Sequence, residues 1–171
     1  MSRSPEAGAV HAPEAEDALR VAFEEHYAPL LRLSILLSGD RQAAEDVVQE
    51  AFVRSSGHLG DVPVERLRSY LRQVVVNLWR DRRRWLARDR SARDRSLSVG
   101  RAGSVDPADA VALRTAVMRL PSRQRACVVL RYYEDLPERE VAALLNCSVG
   151  TVKSHSSRAI AHLRREFGDE D

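Results

Sequence analysis

PEREVAALLNCSVGTVKSHSSRAIAHL, residues Pro137–Leu163, is the stretch that decides how this chain folds. It holds two runs with apolar residues at helical spacing, separated by a very short break. The first run, Glu138 to Leu145, is expected to bury Val141, Ala142 and Leu145. The break is Asn146-Cys147-Ser148. Asparagine tolerates the left-handed backbone that such turns commonly need, and serine is a good N-cap for the helix that follows. The second run places Val149, Val152, Ser156, Ala159, Ile160 and Leu163 on one face. Thr151, Ser154, Ser157 and Arg158 fall on the other face, with Lys153 and His155 on its flanks. Two helices joined in this way predict a helix-turn-helix. The outer face suits the major groove: short side chains permit close approach, arginine can fork onto guanine, and lysine can hold phosphate. The helix N-terminus adds a dipole favourable to phosphate. A helical hairpin with a polar outer face is the bland alternative, and the turn length, the cap and the basic face together argue against it.

Upstream of this motif, Pro121 to Tyr132 predicts a helix whose residues Cys127, Val128, Val129 and Leu130 occupy several faces, so it should be the most buried element. Ahead of it, Asp106 can cap a helix with Pro107 in its first position, followed by Ala110, Leu113, Val117 and Leu120 at helical spacing. Residues 87–107 are rich in Ser, Gly, Arg and Asp and have no apolar period, which is a linker composition. As a flexible coil such a segment spans roughly 25 Å.

The N-terminal half is also helical in pattern. Asp17 to Leu37 reads as a helix with Pro29 inside it, where a kink or break is expected, and Ser38-Gly39-Asp40 ends it. Gln42 to Ser55 places Ala44, Val47, Val48, Ala51 and Phe52 on one face. Asp46, Gln49 and Val53 lie opposite, flanked by Glu50. Ser56 to Val64 is a loop marked by Gly and Pro. Glu65 to Leu86 is a long helix with a buried stripe of Leu67, Leu71, Val74, Val75 and Leu78, and Asn77, Arg80, Arg83 and Arg84 lie away from that stripe. The expected architecture is all-α: a tail over residues 1–16, a helical domain over 17–86, the linker over 87–107, a helix-turn-helix domain over 108–166 and an acidic tail over 167–171. The N-terminal tail, rich in Ala, Pro, Ser and Glu, is expected to be disordered.

Charge supports a polyanionic partner. The net charge of the 171 residues is only +2, but it is unevenly placed. Between Arg80 and Arg95 there are eight arginines against three aspartates, a local excess of +5. Between Thr151 and Glu166, Lys153, Arg158, Arg164 and Arg165 stand against one acid, an excess of +3. Two separated basic segments suggest a polyanion gripped at two places. The two cysteines, Cys127 and Cys147, have no metal-ligand spacing and fit a reduced cytoplasm, so no cofactor or metal is expected. No signal peptide or membrane-spanning run is legible, which points to a cytoplasmic protein.

The motifs also carry a family resemblance. Leu120 to Arg125, Leu130 to Leu136, Glu140-Val141-Ala142 and Cys147 to Ser154 resemble sigma region four of extracytoplasmic-function (group four) RNA polymerase sigma factors. Ala44 to Phe52 resembles the polymerase-binding helix of sigma region two. Ser69-Tyr70-Leu71, Val74, Asn77 and Asp81 to Arg84 resemble its promoter-melting helix. The wording Asn77 to Asp81 is similar to the actinobacterial SigE-type subgroup. The chain departs from the family's common pattern at Asn146, where many relatives have glycine, and at Tyr70, where many have tryptophan.

The resemblance implies a sigma factor with core RNA polymerase and promoter DNA as partners. It implies docking on polymerase through Asp46, Gln49, Glu50 and Val53. It implies −10 contacts from Asn77, Arg80, Arg83 and Arg84, with His58 and Asp61 in the loop that would hold a flipped base. For the −35 element it implies Thr151, Lys153, Ser154, His155, Ser157 and Arg158. Control by an anti-sigma factor is one implied mode, and control by synthesis or proteolysis alone is the other. Three other classes compete with this reading. A response-regulator-type helix-turn-helix protein would bind DNA without polymerase, but residues 19–86 lack the alternating βα pattern of a receiver domain. A nuclease would need a metal-assisted arrangement that the acidic pairs Glu24-Glu25 and Glu45-Asp46 do not offer. A purely structural helical adaptor would leave the basic faces unexplained.

Overall fold

The computed structural model describes residues 12–90 and 108–167, and among these the chain is built from helices and turns without a strand. Helix α1 (Ala12–Ser38) continues through Pro29. The carbonyl deprived of its donor there belongs to Glu25, an exposed residue, so water can take the missing bond and the helix continues. It stops at Gly39, whose φ of +80° closes the last turn through a 2.8 Å bond from its N–H to the Ile35 carbonyl. Asp40 then caps α2 (Arg41–Ser55), its Oδ1 accepting from the Ala43 N–H at 2.7 Å. A short turn at Leu59–Asp61 leads to α3 (Val64–Arg90). These three helices share a core that includes Leu30, Val47, Val48, Phe52, Leu71 and Val75, with Leu59 pinning the loop onto it.

The C-terminal unit comprises α4 (Ala108–Arg119), α5 (Ser122–Val128), α6 (Glu138–Leu145) and α7 (Val149–Phe167). The run Arg125 to Leu130 is buried without interruption, as its apolar residues on several faces predict. The expected single helix over 121–132 widens beyond α5 into a π-helical turn over Val129–Tyr133. Its closing bond runs from the Glu134 N–H to the Val129 carbonyl at 3.1 Å.

Between α6 and α7 the turn follows the sequence reading. Asn146 is left-handed, with φ 50° and ψ 57°. The Cys147 N–H reaches the Ala142 carbonyl at 3.0 Å and the Asn146 N–H reaches that of Ala143 at 3.2 Å, a Schellman closure. Replacing Asn146 by valine is therefore expected to cost about 1–2 kcal/mol, because a branched Cβ crowds the carbonyl in this conformation. Glycine, which has no such penalty, is expected to leave stability within about 1 kcal/mol of the parent. Urea denaturation of the two variants checks this, and equal losses for both would show that the turn conformation is not what matters.

Helices extend into the expected tails and linker at three ends. Residues 12–16 join α1, residues 87–90 complete α3, and Phe167 ends α7. The rest of the expected tails and linker lies outside the described residues. The units also meet. One apolar cluster contains Leu33 and Leu37 of α1 and Val76 and Trp79 of α3 together with Val117, Cys127, Leu130 and Val141 of the C-terminal unit. Helix α3 thus buries a second face, Val76 and Trp79, beside the stripe read from its sequence.

Candidate functional site

Helix α7 presents its polar face as the sequence predicts. Lys153, Ser154, Ser157 and Arg158 are exposed, and Thr151 and His155 are half-buried. Beneath them Val152, Ser156 and Ala159 are buried and hold the helix against the unit's core. Ser148 caps α7: its Oγ accepts from the Thr151 N–H at 3.1 Å and lies 2.8 Å from Thr151 Oγ1. Lys153 Nζ sits 3.7 Å from Glu138 Oε2, so its ammonium is steered toward the start of α6. Partial burial, followed by the charges of Arg123 and Arg158, lowers the pKa of His155. The shift favours the neutral imidazole over the cation.

Arg123, at the start of α5, contributes positive charge beside this face and was not singled out from sequence. Its position in another helix hid it, since helical periodicity speaks only of neighbours on the same element. Along the flank of α7 a cleft of about 560 Å³ is lined by Arg131, Tyr132, Lys153, Ser157, Arg164 and Arg165, among others. Lys153, Arg164 and Arg165 therefore share this flank with Arg131 and the acidic Glu138, and Arg158 lies outside the cleft.

On α3, Asn77 is exposed and accepts through Oδ1 from Arg80 Nη1 at 3.3 Å. The same Nη1 donates to the Leu144 carbonyl of α6 at 2.8 Å. Arg83 lies over the Trp79 ring, 5.8 Å from its centroid, and Arg84 pairs with Asp81 at 3.6 Å. His58 and Asp61 are exposed on the loop between α2 and α3.

The outer face of α2 carries Gln49, Glu50 and Val53, the last 73% exposed. Asp46 is not an isolated acid: its Oδ2 accepts from Arg82 of α3 at 3.2 Å. An aromatic group of Phe23, Tyr27 and Phe52 stiffens the join between α1 and α2, with Phe23 stacked on Tyr27 at 4.5 Å. The sequence reading placed Arg82 only within the Asp81–Arg84 motif and Phe23 only as an apolar helix residue, because the contact each makes is with another helix.

A capped helix-turn-helix with a basic outer face, joined to a second helical unit with an arginine-rich helix, defines a DNA-binding transcription protein. Comparison with known proteins makes the class specific. Residues 22–89 match the family model of sigma-70 region 2, and residues 110–163 match that of sigma-70 region 4. The RNA polymerase sigma-E factor of Streptomyces avermitilis is 35% identical over 158 residues, covering 87% of each chain. The ECF RNA polymerase sigma factor SigL of Mycobacterium tuberculosis is 33% identical over 168 residues, covering 90% of this chain and 91% of the relative. The sigma factor RpoE from Bartonella quintana, solved with the anti-sigma factor NepR, shares the fold with a TM-score of 0.66 at 22% identity, over 94% of this chain and all of that one (100%). The chain belongs to the extracytoplasmic-function RNA polymerase sigma factors. As such it is a non-enzymatic initiation factor that works with core RNA polymerase and promoter DNA, and the response-regulator alternative falls away.

Proposed function

We propose that α2 docks on core polymerase through Asp46, Gln49, Glu50 and Val53, that α3 with the loop bearing His58 and Asp61 engages the −10 element, and that α7 reads the −35 element. The observation that carries the reading is the outer face of α7, where Ser154, Ser157 and Arg158 are exposed on a helix fixed by a capped turn. Val53, 73% exposed between amide and carboxylate side chains, is the apolar surface that this docking would bury. On α3, Asn77, Arg80, Arg83 and Arg84 offer hydrogen bonds and positive charge to the −10 backbone and bases.

Arg158→Ala and Lys153→Ala test the assignments on α7. The arginine change is expected to cost about 1–3 kcal/mol in promoter binding by the polymerase complex and to relax preference at one or two −35 positions. The lysine change is expected to weaken binding to all sequences and to flatten the salt dependence. Equal, sequence-independent losses would show that Arg158 touches only backbone.

The place of action is the cytoplasm, where polymerase and promoter DNA are found. Among the described residues no helix is long and apolar enough to cross a membrane. For control we favour an anti-sigma protein, in keeping with the solved complexes of RpoE with NepR and of CnrH with the cytosolic domain of CnrY. Co-purification from stressed and unstressed host cells tests this, and recovery of polymerase subunits alone under all conditions would leave control to synthesis or proteolysis.

A further inference from the structure

Trp85 is the largest apolar side chain left exposed among the described residues, at 61%. An indole is a broad apolar ring with a single polar group, its N–H, and water solvates most of it poorly.

Three sides of α3 have distinct neighbours. One meets the C-terminal unit: Arg72 pairs at 3.2 Å with the buried carboxylate of Glu134, Arg80 donates to the Leu144 carbonyl, and Val76 and Trp79 enter the shared apolar cluster. A second carries Asn77 and Arg84, read above as −10 contacts. The third is the stripe of Leu67, Leu71 and Leu78, buried in the core that α3 forms with α1 and α2. At about 100° per residue, Trp85 falls within roughly 20° of Leu67 and Leu78 and about 100° from Arg84. It therefore continues the stripe that faces α1 and α2, past the point where those helices cover it.

Arg82, one turn before Trp85, fixes what lies alongside. Its Nη2 pairs with Asp46 Oδ2 of α2 at 3.2 Å. Helix α2 leads into α3 through the short turn at Leu59–Asp61, and the two helices meet again at this pair, so α3 returns along α2 toward its N-terminal end. There Gln42 Nε2 donates to Asp46 Oδ1 at 3.4 Å. Trp85 thus stands about 5 Å along α3 beyond the pair, at the Gln42 end of the face that carries Asp46, Gln49 and Val53. The charges of Asp46 and Arg82 offset each other, which leaves a polar, nearly neutral strip between Trp85 and Gln49. An aromatic ring beside such a strip is the composition of a protein interface, where aromatics are enriched and unpaired charge is depleted.

We propose that Trp85 is a docking residue for core RNA polymerase, the anchor at one end of a strip whose other end is Val53. This rests on the docking reading of α2 and extends it to a second helix. The partner surface offers an apolar slot for the ring and a hydrogen-bond acceptor for the indole N–H. Tryptophans seated in this way often carry a large share of the binding energy. Helix α3 is then two-sided, with polymerase against Trp85 and the promoter against Asn77 and Arg84.

The test is binding of the full-length chain to core polymerase without DNA. Trp85→Ala is expected to raise the Kd about thirtyfold, the equivalent of about 2 kcal/mol. Trp85→Phe keeps an aromatic ring and is expected to raise it less than about fivefold. The side chain is exposed, so both variants are expected to match the parent in circular dichroism and urea denaturation. A second readout replaces the two tryptophans by 5-hydroxytryptophan, which is excited apart from the tryptophans of polymerase. Trp79 is buried, so acrylamide quenching of the free chain reports chiefly on position 85, and core polymerase is expected to protect it. A parent-like Kd for Trp85→Ala, or quenching that polymerase leaves unchanged, overturns the proposal. Weaker promoter binding by the assembled complex with a parent-like Kd for polymerase also overturns it, and gives Trp85 to the DNA. Asp46→Arg with Gln49→Arg, measured in the same assay, reports on α2 separately. A parent-like Kd for that pair sinks the α2 reading, whereas a loss for that pair with none for Trp85→Ala sinks this proposal alone.

Discussion

Leu130→Ala is expected to cost about 2–5 kcal/mol of folding stability, the range for removing a fully buried leucine from a core that cannot collapse around the gap. Leu130 has no exposed surface and lies in the π-helical turn, in the cluster that joins α1 and α3 to α5, α6 and α7. Native stabilities are of the order of 5–15 kcal/mol, so a loss of this size is a large part of the whole. Urea denaturation followed by far-ultraviolet circular dichroism measures it. The surface variant Ser154→Ala, on the exposed face of α7, is expected to shift stability by no more than about 0.5 kcal/mol. A Leu130→Ala chain as stable as the parent would mean that the shared cluster does not hold the molecule together.

The second large effect concerns the polymerase-facing side of α2. Replacing Asp46 and Gln49 together by arginine is expected to reduce retention on core polymerase by tenfold or more, about 1.4 kcal/mol or more in binding. Gln49 is exposed and Asp46 half-exposed, so the added positive charge leaves the core formed by Val47, Val48, Ala51 and Phe52 untouched. The lost Asp46–Arg82 pair has both side chains about 45% exposed (45% and 44%), and a pair so solvated contributes at most about 1 kcal/mol. Circular dichroism should therefore match the parent while polymerase pull-down fails. Loss of helix together with loss of binding would mean that α2 presents a different face.

What could be read from the sequence was local. Helical spacing placed Val141, Val152 and Ala159 inside and Ser157 and Arg158 outside, because helix periodicity alone decides those positions. The turn was legible because Asn146 and Ser148 carry their backbone preferences with them. What escaped was long-range. Nothing near Arg125 in the sequence marks it as a buried cap for α1, 88 residues away, and nothing near Glu134 names Arg72. Trp79 was passed over because α3 already had one apolar stripe, and its second buried face exists only when the C-terminal unit packs there. Of the kink or break read at Pro29, the break does not occur: the rule that proline ends helices assumes an unsatisfied carbonyl, and at Glu25 water can satisfy it.

The most direct test of the central claim is run-off transcription. Core RNA polymerase from a related bacterium is incubated with fragments of the host genome, with and without the full chain, and the 5′ ends of the transcripts are mapped. The account predicts new start sites only when the chain is present, each at a fixed distance downstream of a shared −10 and −35 pair, and lost on Asp46→Arg with Gln49→Arg. Identical transcripts with and without the chain, together with failure of the chain to join core polymerase in a pull-down, would contradict it.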